Sequence, residues 1–547
     1  MDASSNVKYF TFYDLETYGL DPRSDRIAQF AAVRTDSSFN ILEKTVIYCL
    51  PQQDYIPNVE SMLVTGITPE SVETLYRKDA YRENEFINRV IGFLTRPDNC
   101  VLGYNNVKFD DEYLRFTAFR NFYDPYAFNS SPSNNSTRWD LVYLVRACYA
   151  LSPEEINWPQ NPEGSGVSMR LEHMSKANSL EHGHAHDALS DVEATVQLAK
   201  LIHDRKPKLF NYFFNLRTKR SIEETFYDSM SGRFIKSPLV HVDTGYGPET
   251  LYTGVILPVY LRNDKGSSIY GWRLDQDLDS LFKLASSPEQ ALAEDLDLRQ
   301  LGLVKINTAR CPALSEYSVI AKRPQRAARL NIDLKKVAAN LEYIESHDLL
   351  AGLMDRMIVL EKNRFAASAD PAEPDPEHML YSLFSLSPED RRNKNIIHER
   401  EAKDPFVFDE INFSNSTLRR LLFRYKARNF SQYLNDREAA KWNERIVSYL
   451  DARAPVFQQQ IEEAVKNHAG DVEKLKILLS IIRYYSRDGW QIADEQVVAD
   501  LTDMITALEE KKKSAAENNN SDQVIQKSST QEAVSSESAV PQTAQPE

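Results

Sequence analysis

Residues 7–17 read VKYFTFYDLET. Aromatic and β-branched side chains dominate the stretch, as in a strand. In an extended chain, residues two apart point to one face, so Asp14 and Glu16 project on the same side. An apolar strand that ends in two same-side carboxylates is costly unless something positive sits between them. RIAQFAAVRTD at 26–36 and EKTVIYCLP at 43–51 repeat the strand-like composition, with turn residues between them. Three strands in succession open the chain.

Helical and strand signals alternate after that. ENEFINRVIGFLT at 83–95 has helical spacing. CVLGYN at 100–105 is a short apolar strand, and a helix is expected from about 109 to 120. DLVYLVRACYAL at 140–151 and HDALSDVEATVQLAKLIHD at 186–204 read as further helices. Hairpin-joined strands followed by alternating helices and strands predict a layered α/β domain over 1–205. The next stretch changes character. KSPLVHVDTGYG, TLYTGVILPVYL and SSIYGWRLDQD predict a small β domain, with helical edges near 288–300 and 325–345. AASADPAEPDPE at 366–377 carries three prolines and four acids and marks a linker or long loop. STLRRLLFRYKARNF at 416–430 and VEKLKILLSIIRYYS at 472–486 are helical. The expected division is 1–205, 206–360, 361–510, and a Ser/Gln/Asn/Glu-rich disordered tail at 511–547.

Composition narrows the classes. The chain has 547 residues, 42% hydrophobic and 27% charged, enough for several domains with cores of their own. No apolar run reaches about 18 residues, so no membrane span is expected. MDASSNVKYF lacks the basic start and apolar stretch of a signal peptide, which predicts a cytoplasmic protein. Cys49, Cys100, Cys148 and Cys311 are far apart with no CxxC pair, as expected of buried thiols in a reducing compartment. A net charge of −15 argues against a general polyanion binder. Residues 206–336, however, carry 20 Lys and Arg against 15 Asp and Glu, so this middle segment can tolerate a phosphate backbone.

Further acids join the first pair. Asp110 lies in GYNNVKFDDEYL, after a strand and at a helix start, and Asp191 lies in AHDALSD, five residues after His186. Four acids from three segments and one histidine suit phosphodiester hydrolysis. That reaction loads negative charge on the phosphate and on both the entering and leaving oxygens, which two cations about 3.5–4 Å apart stabilise. Oxygen donors favour Mg²⁺, with Mn²⁺ as a substitute. An imidazole can take the proton of the attacking water at neutral pH. His182 and His184 read as a surface histidine loop or an adventitious metal site.

The order strand Asp-x-Glu, then Asn-x-x-Phe-Asp, then His-x₄-Asp resembles the DEDDh exonuclease superfamily, whose fold is ribonuclease H-like. DLETYGL, LVTGITPE, LGYNNVKFDDEYLR, RNFYDPYAF, RWDLVYLVRACYAL, INWP, MRLEHMSKAN and HDALSDV narrow the resemblance to the family of bacterial single-strand DNA exonucleases. With RKPKLFNYFFNLR, PLVHV and RLLFRYKARNF it covers about residues 7–490. The resemblance implies a ribonuclease H-like exonuclease domain, a small SH3-like β domain and an all-helical C-terminal domain. It implies Asp14, Glu16 and Asp191 as direct ligands of two Mg²⁺ ions, Asp110 as completing the site, and His186 as general base. Position 187 is Asp, which excludes the superfamily's tyrosine branch.

Single strands are held by cationic grooves with stacking aromatics. Three segments combine the two: RNFYDPYAF (Arg120, Tyr123, Tyr126, Phe128), KPKLFNYFFNLRTKR (Lys208, Tyr212, Phe213, Arg217, Lys219) and RLLFRYKARNF (Arg424, Tyr425, Lys426, Arg428). Arg115 and Arg146 are expected on helices beside the acidic segments. Arg170 matches a family arginine near the substrate. Thr17, with Glu16 and the LVTGIT segment, resembles the pocket for the terminal nucleotide. The substrate contacts expected are thus Glu16, Thr17, Arg115, Tyr126, Arg146, Arg170 and Tyr212. The family also implies a processive enzyme that releases 5′-mononucleotides in DNA repair and recombination. It implies a monomer that binds the acidic C-terminal tail of single-stranded DNA-binding protein. Ser152 stands where the family often has Arg, in the region of that docking patch. The alternatives are an RNA or oligonucleotide exonuclease of the same superfamily, and a non-catalytic single-strand-binding scaffold.

Overall fold

A six-stranded sheet carries the acidic residues. The computed structural model describes residues 7–129, 135–164, 166–181, 187–228, 233–235, 237–262, 268–285, 301–346, 374–383, 386–401, 404, 406–487 and 496–514. His186, the helical edge expected at 288–300, the linker up to residue 373 and the tail from 515 lie outside these residues. The chain divides into two units, Met1–Leu50 with Lys78–Ala439, and Pro51–Arg77 with Ala440–Glu547.

The first unit contains both sheets. β1 (Tyr9–Thr17), β2 (Ile27–Asp36), β3 (Ile41–Cys49), β4 (Ala80–Tyr81), β5 (Asn99–Gly103) and β6 (Thr137–Asp140) pair in the order β4-β3-β2-β1-β5-β6. The β1–β2 and β2–β3 pairs are antiparallel; β1–β5 and β5–β6 are parallel. The three opening strands fall where their composition put them. β1 is central and buried on both faces. Phe10 and Phe12 enter one core with Val192, Val196 and Ala199 of the helix Ala188–Arg205. Tyr13 and Leu15 enter another with Phe86, Val90 and Leu114. Asp14 and Glu16 continue the Phe10–Phe12 face to the strand's end. Gly103 at the end of β5 is required by close approach: a Cβ there would lie 2.7 Å from the Tyr13 carbonyl oxygen.

β7 (Tyr227–Asp228) and β8 (Arg233–Phe234) form a two-stranded ribbon. β9 (Leu239–Val242), β10 (Thr253–Arg262), β11 (Ser268–Arg273), β12 (Leu303–Asn307) and β13 (Ala313–Glu316) form the second sheet, in the order β12-β11-β10-β9-β13. This is the small β domain expected from the middle segment. The helix Leu141–Leu151 is apolar on nearly every side because its core also contains Val240 and Val242 of β9 and Ala313 of β13. Phe116, Phe119 and Phe122 pack with Leu380, Phe413, Leu418 and Tyr425, so the helix Asp110–Arg120 and the turn after it share a core with the helix Ser416–Asn429. Arg26, Glu83, Arg120, Glu377, Arg424 and Arg428 form a buried charge network between the same regions.

The second unit is helical in its described part. Val59–Thr65 ends on Gly66 in the left-handed conformation, and Pro69–Thr74 starts with a Thr68–Ser71 capping box. Ser480 Oγ donates to Glu70 at 2.6 Å and Tyr484 OH to Glu73 at 3.0 Å, joining these turns to the helix Val472–Ser486. The LVTGIT segment belongs to this unit. A last helix covers 496–514, so residues 511–514, expected in the disordered tail, continue its polar last turn instead. No helix among the described residues is long and apolar enough to cross a membrane. All four cysteines are buried thiols.

Candidate active site

Asp14, Glu16 and Asp191 each place a carboxylate oxygen within 4.8 Å of the others. The geometry follows from the sheet. The Ala188–Arg205 helix packs its apolar stripe on β1 and β2, and its first turn lies over the end of the β1 face that carries Asp14 and Glu16. Asp191 is in that turn, where a helix N-terminus tolerates negative charge. Asp110 is the first residue of its own helix, and its Oδ1 accepts the Leu15 backbone N–H at 3.1 Å. Four of the five expected catalytic residues are therefore brought together; His186 lies outside the described residues.

The acids raise one another's proton affinity. Burial, with the charges of Asp110 and Asp191, holds the Asp14 carboxyl well above its usual range. Burial and then Asp14, Asp191 and Asp187 push Glu16 up to about 9. Burial and Asp111 raise Asp110. Carboxylates gathered this closely suit hard metal ions, and an all-oxygen donor set fits that chemistry.

The neighbours of Asp110 are better neutralised. Asp111 is fully buried; Tyr13 OH and Arg138 donate hydrogen bonds to its two oxygens, and Arg115 lies 3.7 Å away. Asp140 is also fully buried. Its Oδ1 accepts the N–H groups of Asn105 at 2.9 Å and Val142 at 3.0 Å, and its Oδ2 that of Val107 at 3.2 Å. Burial still raises this carboxyl to about 6 against those bonds. Sequence reading missed Tyr13, Asp111, Arg138 and Asp140. The doubled acid in FDDE and the alternating charges of TRWD were the available signals.

The expected substrate contacts scatter more. Thr17 is buried and its hydroxyl donates to the Gly19 carbonyl at 2.8 Å. Arg115 is spent on Asp111 and on Glu112 at 2.7 Å, with Tyr126 half-exposed beside it at 5.7 Å from ring centre to guanidinium. Arg146 lies 5.5 Å from the Tyr143 ring, and its NH1 is buried without a hydrogen bond. Arg170 is exposed and forks onto Glu163 at 3.0 and 2.7 Å, on a segment tied down by Tyr104 OH donating to the Met169 carbonyl. Tyr212 lines a cavity of 370 Å³ with Leu151, Ser152, Lys208, Phe213 and Arg326.

Cations of all three expected DNA-facing segments are partly internal. Arg424, Arg428 and Lys426 are consumed by Asp375, Glu377, Asp409 and Glu438. Arg120 and Arg217 are buried, the latter donating to Thr137 at 3.0 Å. Helical spacing of aromatics and cations does not separate a wet groove from a charge-laced core. The cationic, tyrosine-lined cleft lies elsewhere, beside β9, β11 and β12. It has a volume of 580 Å³ and is lined by Lys108, Tyr143, Tyr246, Arg273, Lys305 and Arg310, among others. His241 at its wall is held down to about 4 by burial, with Nδ1 at 2.7 Å from Tyr246 OH.

An α/β sheet whose central strand ends in an acid cluster, completed by the first turns of two helices, defines an acidic metal-binding exonuclease domain. Residues 11–199 match the model of the Exonuclease family, 217–357 the Exonuclease I SH3-like domain and 374–487 the Exonuclease I C-terminal domain. The chain is 36% identical over 508 residues to Exodeoxyribonuclease I of Escherichia coli, covering 91% of this chain and 100% of the relative. E. coli Exonuclease I solved in complex with an oligonucleotide superposes with a TM-score of 0.76 at 34% identity, over 88% of this chain and 99% of that one. An SSB/Exonuclease I crystal structure with an inhibitor gives 0.75 at 33%, over 88% and 99%. The chain belongs to the exodeoxyribonuclease I family of 3′→5′ exonucleases.

Proposed function

We propose that this enzyme is a processive exonuclease that hydrolyses single-stranded DNA from the 3′ end to 5′-mononucleotides in DNA repair and recombination. The observation that carries the reading is the Asp14–Glu16–Asp191 cluster, whose oxygens lie within 4.8 Å of one another on the end of β1. The E. coli relative solved with an oligonucleotide supports the substrate class.

Asp14, Glu16 and Asp191 would hold two Mg²⁺ ions, with Mn²⁺ as a substitute, and Asp110 closes the site. Bound there, the cations supply the positive charge that the phosphate and its entering and leaving oxygens need. His186 takes the proton of the attacking water. Glu16 and Thr17 border the terminal nucleotide, and Arg146 and Arg170 contact phosphates. The Arg170–Glu163 pair is exposed and worth about 0–1 kcal/mol, so a phosphate can displace the glutamate at little cost. The cleft lined by Lys108, Tyr143, Arg273, Lys305 and Arg310 supports a strand path in which cations meet the backbone and tyrosines meet bases. Tyr126, half-exposed beside Arg115 of the helix Asp110–Arg120, stands as a further contact, with Arg115 reaching it only by giving up Glu112.

The 370 Å³ cavity fits the acidic C-terminal tail of single-stranded DNA-binding protein, with Lys208 and Arg326 for its carboxylates and Leu209, Tyr212 and Phe213 for apolar side chains. Ser152 and Glu316 at the same cavity make it less cationic than a site with arginine there. The solved SSB/Exonuclease I relative supports this partner. A cytoplasmic, monomeric enzyme divided at about residues 205, 360 and 510 completes the reading. The test uses purified protein with 3′- and 5′-labelled single-stranded DNA, RNA and duplex, with Mg²⁺ or EDTA. Metal-dependent loss of the 3′ label from single-stranded DNA alone is expected. RNA preference, or binding without cleavage, overturns it.

A further inference from the structure

β6 is only four residues long, and its charged residues alternate: Arg138 and Asp140 are two apart and so share one face. Both reach the segment that presents Asp110, from opposite sides. Asp140 grips the backbone before it, at Asn105 and Val107. Arg138 grips Asp111, the residue after it. Tyr13 OH closes the second oxygen of Asp111 from β1, one residue before Asp14. Asn105 is held in the left-handed region, φ 68°, so this loop does not keep its course through ordinary backbone preference. Gly103, with no room for a Cβ, precedes it.

We infer that Asp140, with Arg138 and Asp111, is a positioning residue for the exonuclease reaction, fixing the loop 105–109 so that Asp110 faces the Asp14–Glu16–Asp191 cluster. Asp140 touches neither substrate nor the reacting atoms. It acts by supplying acceptors to the backbone N–H groups of Asn105, Val107 and Val142. Both of its oxygens are used, Oδ1 twice and Oδ2 once. An asparagine therefore cannot replace it in either orientation, because its NH₂ meets a backbone N–H each time. The loop must then move at one end, and Asp110 moves with it. Arg138 NH2 also donates to the Ala309 carbonyl at 2.9 Å, next to Arg310 of the cationic cleft. The same strand thus fixes one wall of the proposed strand path and the acid beside it.

The inference rests on the proposed nuclease reading, and the experiment separates the two. Full-length wild type, Asp140→Asn and Asp111→Asn are compared on single-stranded DNA with Mg²⁺, measuring kcat, KM, thermal stability and amide exchange over residues 104–111. A displacement of the order of 1 Å costs about 100-fold, so kcat should fall by about 10–100-fold with KM within about twofold of wild type. Exchange should rise over 104–111 while β1 stays protected. Asp111→Asn, which keeps the shape but weakens the hold of Arg138, should show the same split if Asp140→Asn does not fold. Wild-type kcat in the variants overturns the inference alone. A parallel loss of kcat, KM and folding stability also overturns it, since that is a purely structural role. Wild type without metal-dependent cleavage overturns the nuclease reading and this inference with it.

Discussion

Replacing Glu16 by Gln should stabilise the metal-free protein at neutral and alkaline pH, and the size of the gain can be worked from its surroundings. Glu16 is 9% exposed, and its carboxyl is pushed up to about 9 from an ordinary value of 4.5 by burial and by Asp14, Asp191 and Asp187. A raised carboxyl binds its proton more tightly in the fold than in the unfolded chain. Its contribution is therefore complete below about 4.5 and is lost as pH climbs through about 9. Between those limits each group held this way costs about 1.4 kcal/mol of stability per pH unit, so about 3 kcal/mol between pH 6 and pH 8. The assay is chemical unfolding in EDTA at both pH values, with amide exchange of residues 9–17 as a local reporter. Comparing wild type with Glu16→Gln cancels the shared groups that do not interact with Glu16, and the remaining difference belongs to the acid cluster. Wild type should lose about 3 kcal/mol more than the variant across the interval. Saturating Mg²⁺ should remove most of the difference, because ligation favours the ionised carboxylate. Equal pH slopes for the two proteins in EDTA would refute the view that the cluster is charge-frustrated without cations.

The other predictions concern separate parts of the molecule. His186→Ala should lower kcat by about 10²–10⁴-fold while single-stranded DNA binding, measured in Ca²⁺ or EDTA, survives; near-wild-type turnover would remove the base from that position. Asp14→Ala should abolish metal-supported cleavage, read as release of 5′-mononucleotides. Glu377→Gln should destabilise the first unit by about 3–5 kcal/mol in urea unfolding, because Arg26, Arg424 and Arg428 would lose a shared buried carboxylate. These arginines hold Glu377 well below its ordinary range, so its stabilisation is full above about 4.5 and is lost as pH falls through its folded value. Arg326→Ala should weaken binding of an acidic tail peptide about tenfold, the loss of one charge-assisted contact of about 1.5 kcal/mol, read by fluorescence anisotropy.

What could be read in advance depended on periodicity. β1 announced itself because aromatic and β-branched residues fill consecutive positions and its two acids fall at a period of two. The Ala188–Arg205 helix was legible from Leu189, Val192, Leu198 and Ile202 alone. Asp140 was not legible, since a buried acid that serves three backbone N–H groups looks in sequence like any helix N-cap. RLLFRYKARNF misled for a related reason. Arg424 and Lys426 have the composition of a phosphate-binding face, but their partners Asp375, Glu377 and Asp409 lie up to about 50 residues away along the chain. The cationic cleft was hidden because Lys108, Tyr143, Arg273 and Lys305 come from four separated segments and meet only once the second sheet has formed.

An acid cluster of this kind needs a rigid mount, since like charges relax by moving apart. The helix Asp110–Arg120 shows how that motion is opposed. Its first residue bonds the β1 backbone at Leu15, and its second is gripped by Tyr13 and Arg138. Phe116 and Phe119 are buried against Leu380, Leu418 and Leu422, and Arg120 at the far end is fixed by Glu83 at 3.0 Å. Glu83 in turn lies 3.7 Å from Arg26, which also pairs with Glu377 at 2.9 Å. Residues from the 376–430 segment thus immobilise the helix that carries one of the four acids, a turn and more from the acid itself. The helical part of the first unit is mechanically part of the active site even where none of its side chains reaches the cluster.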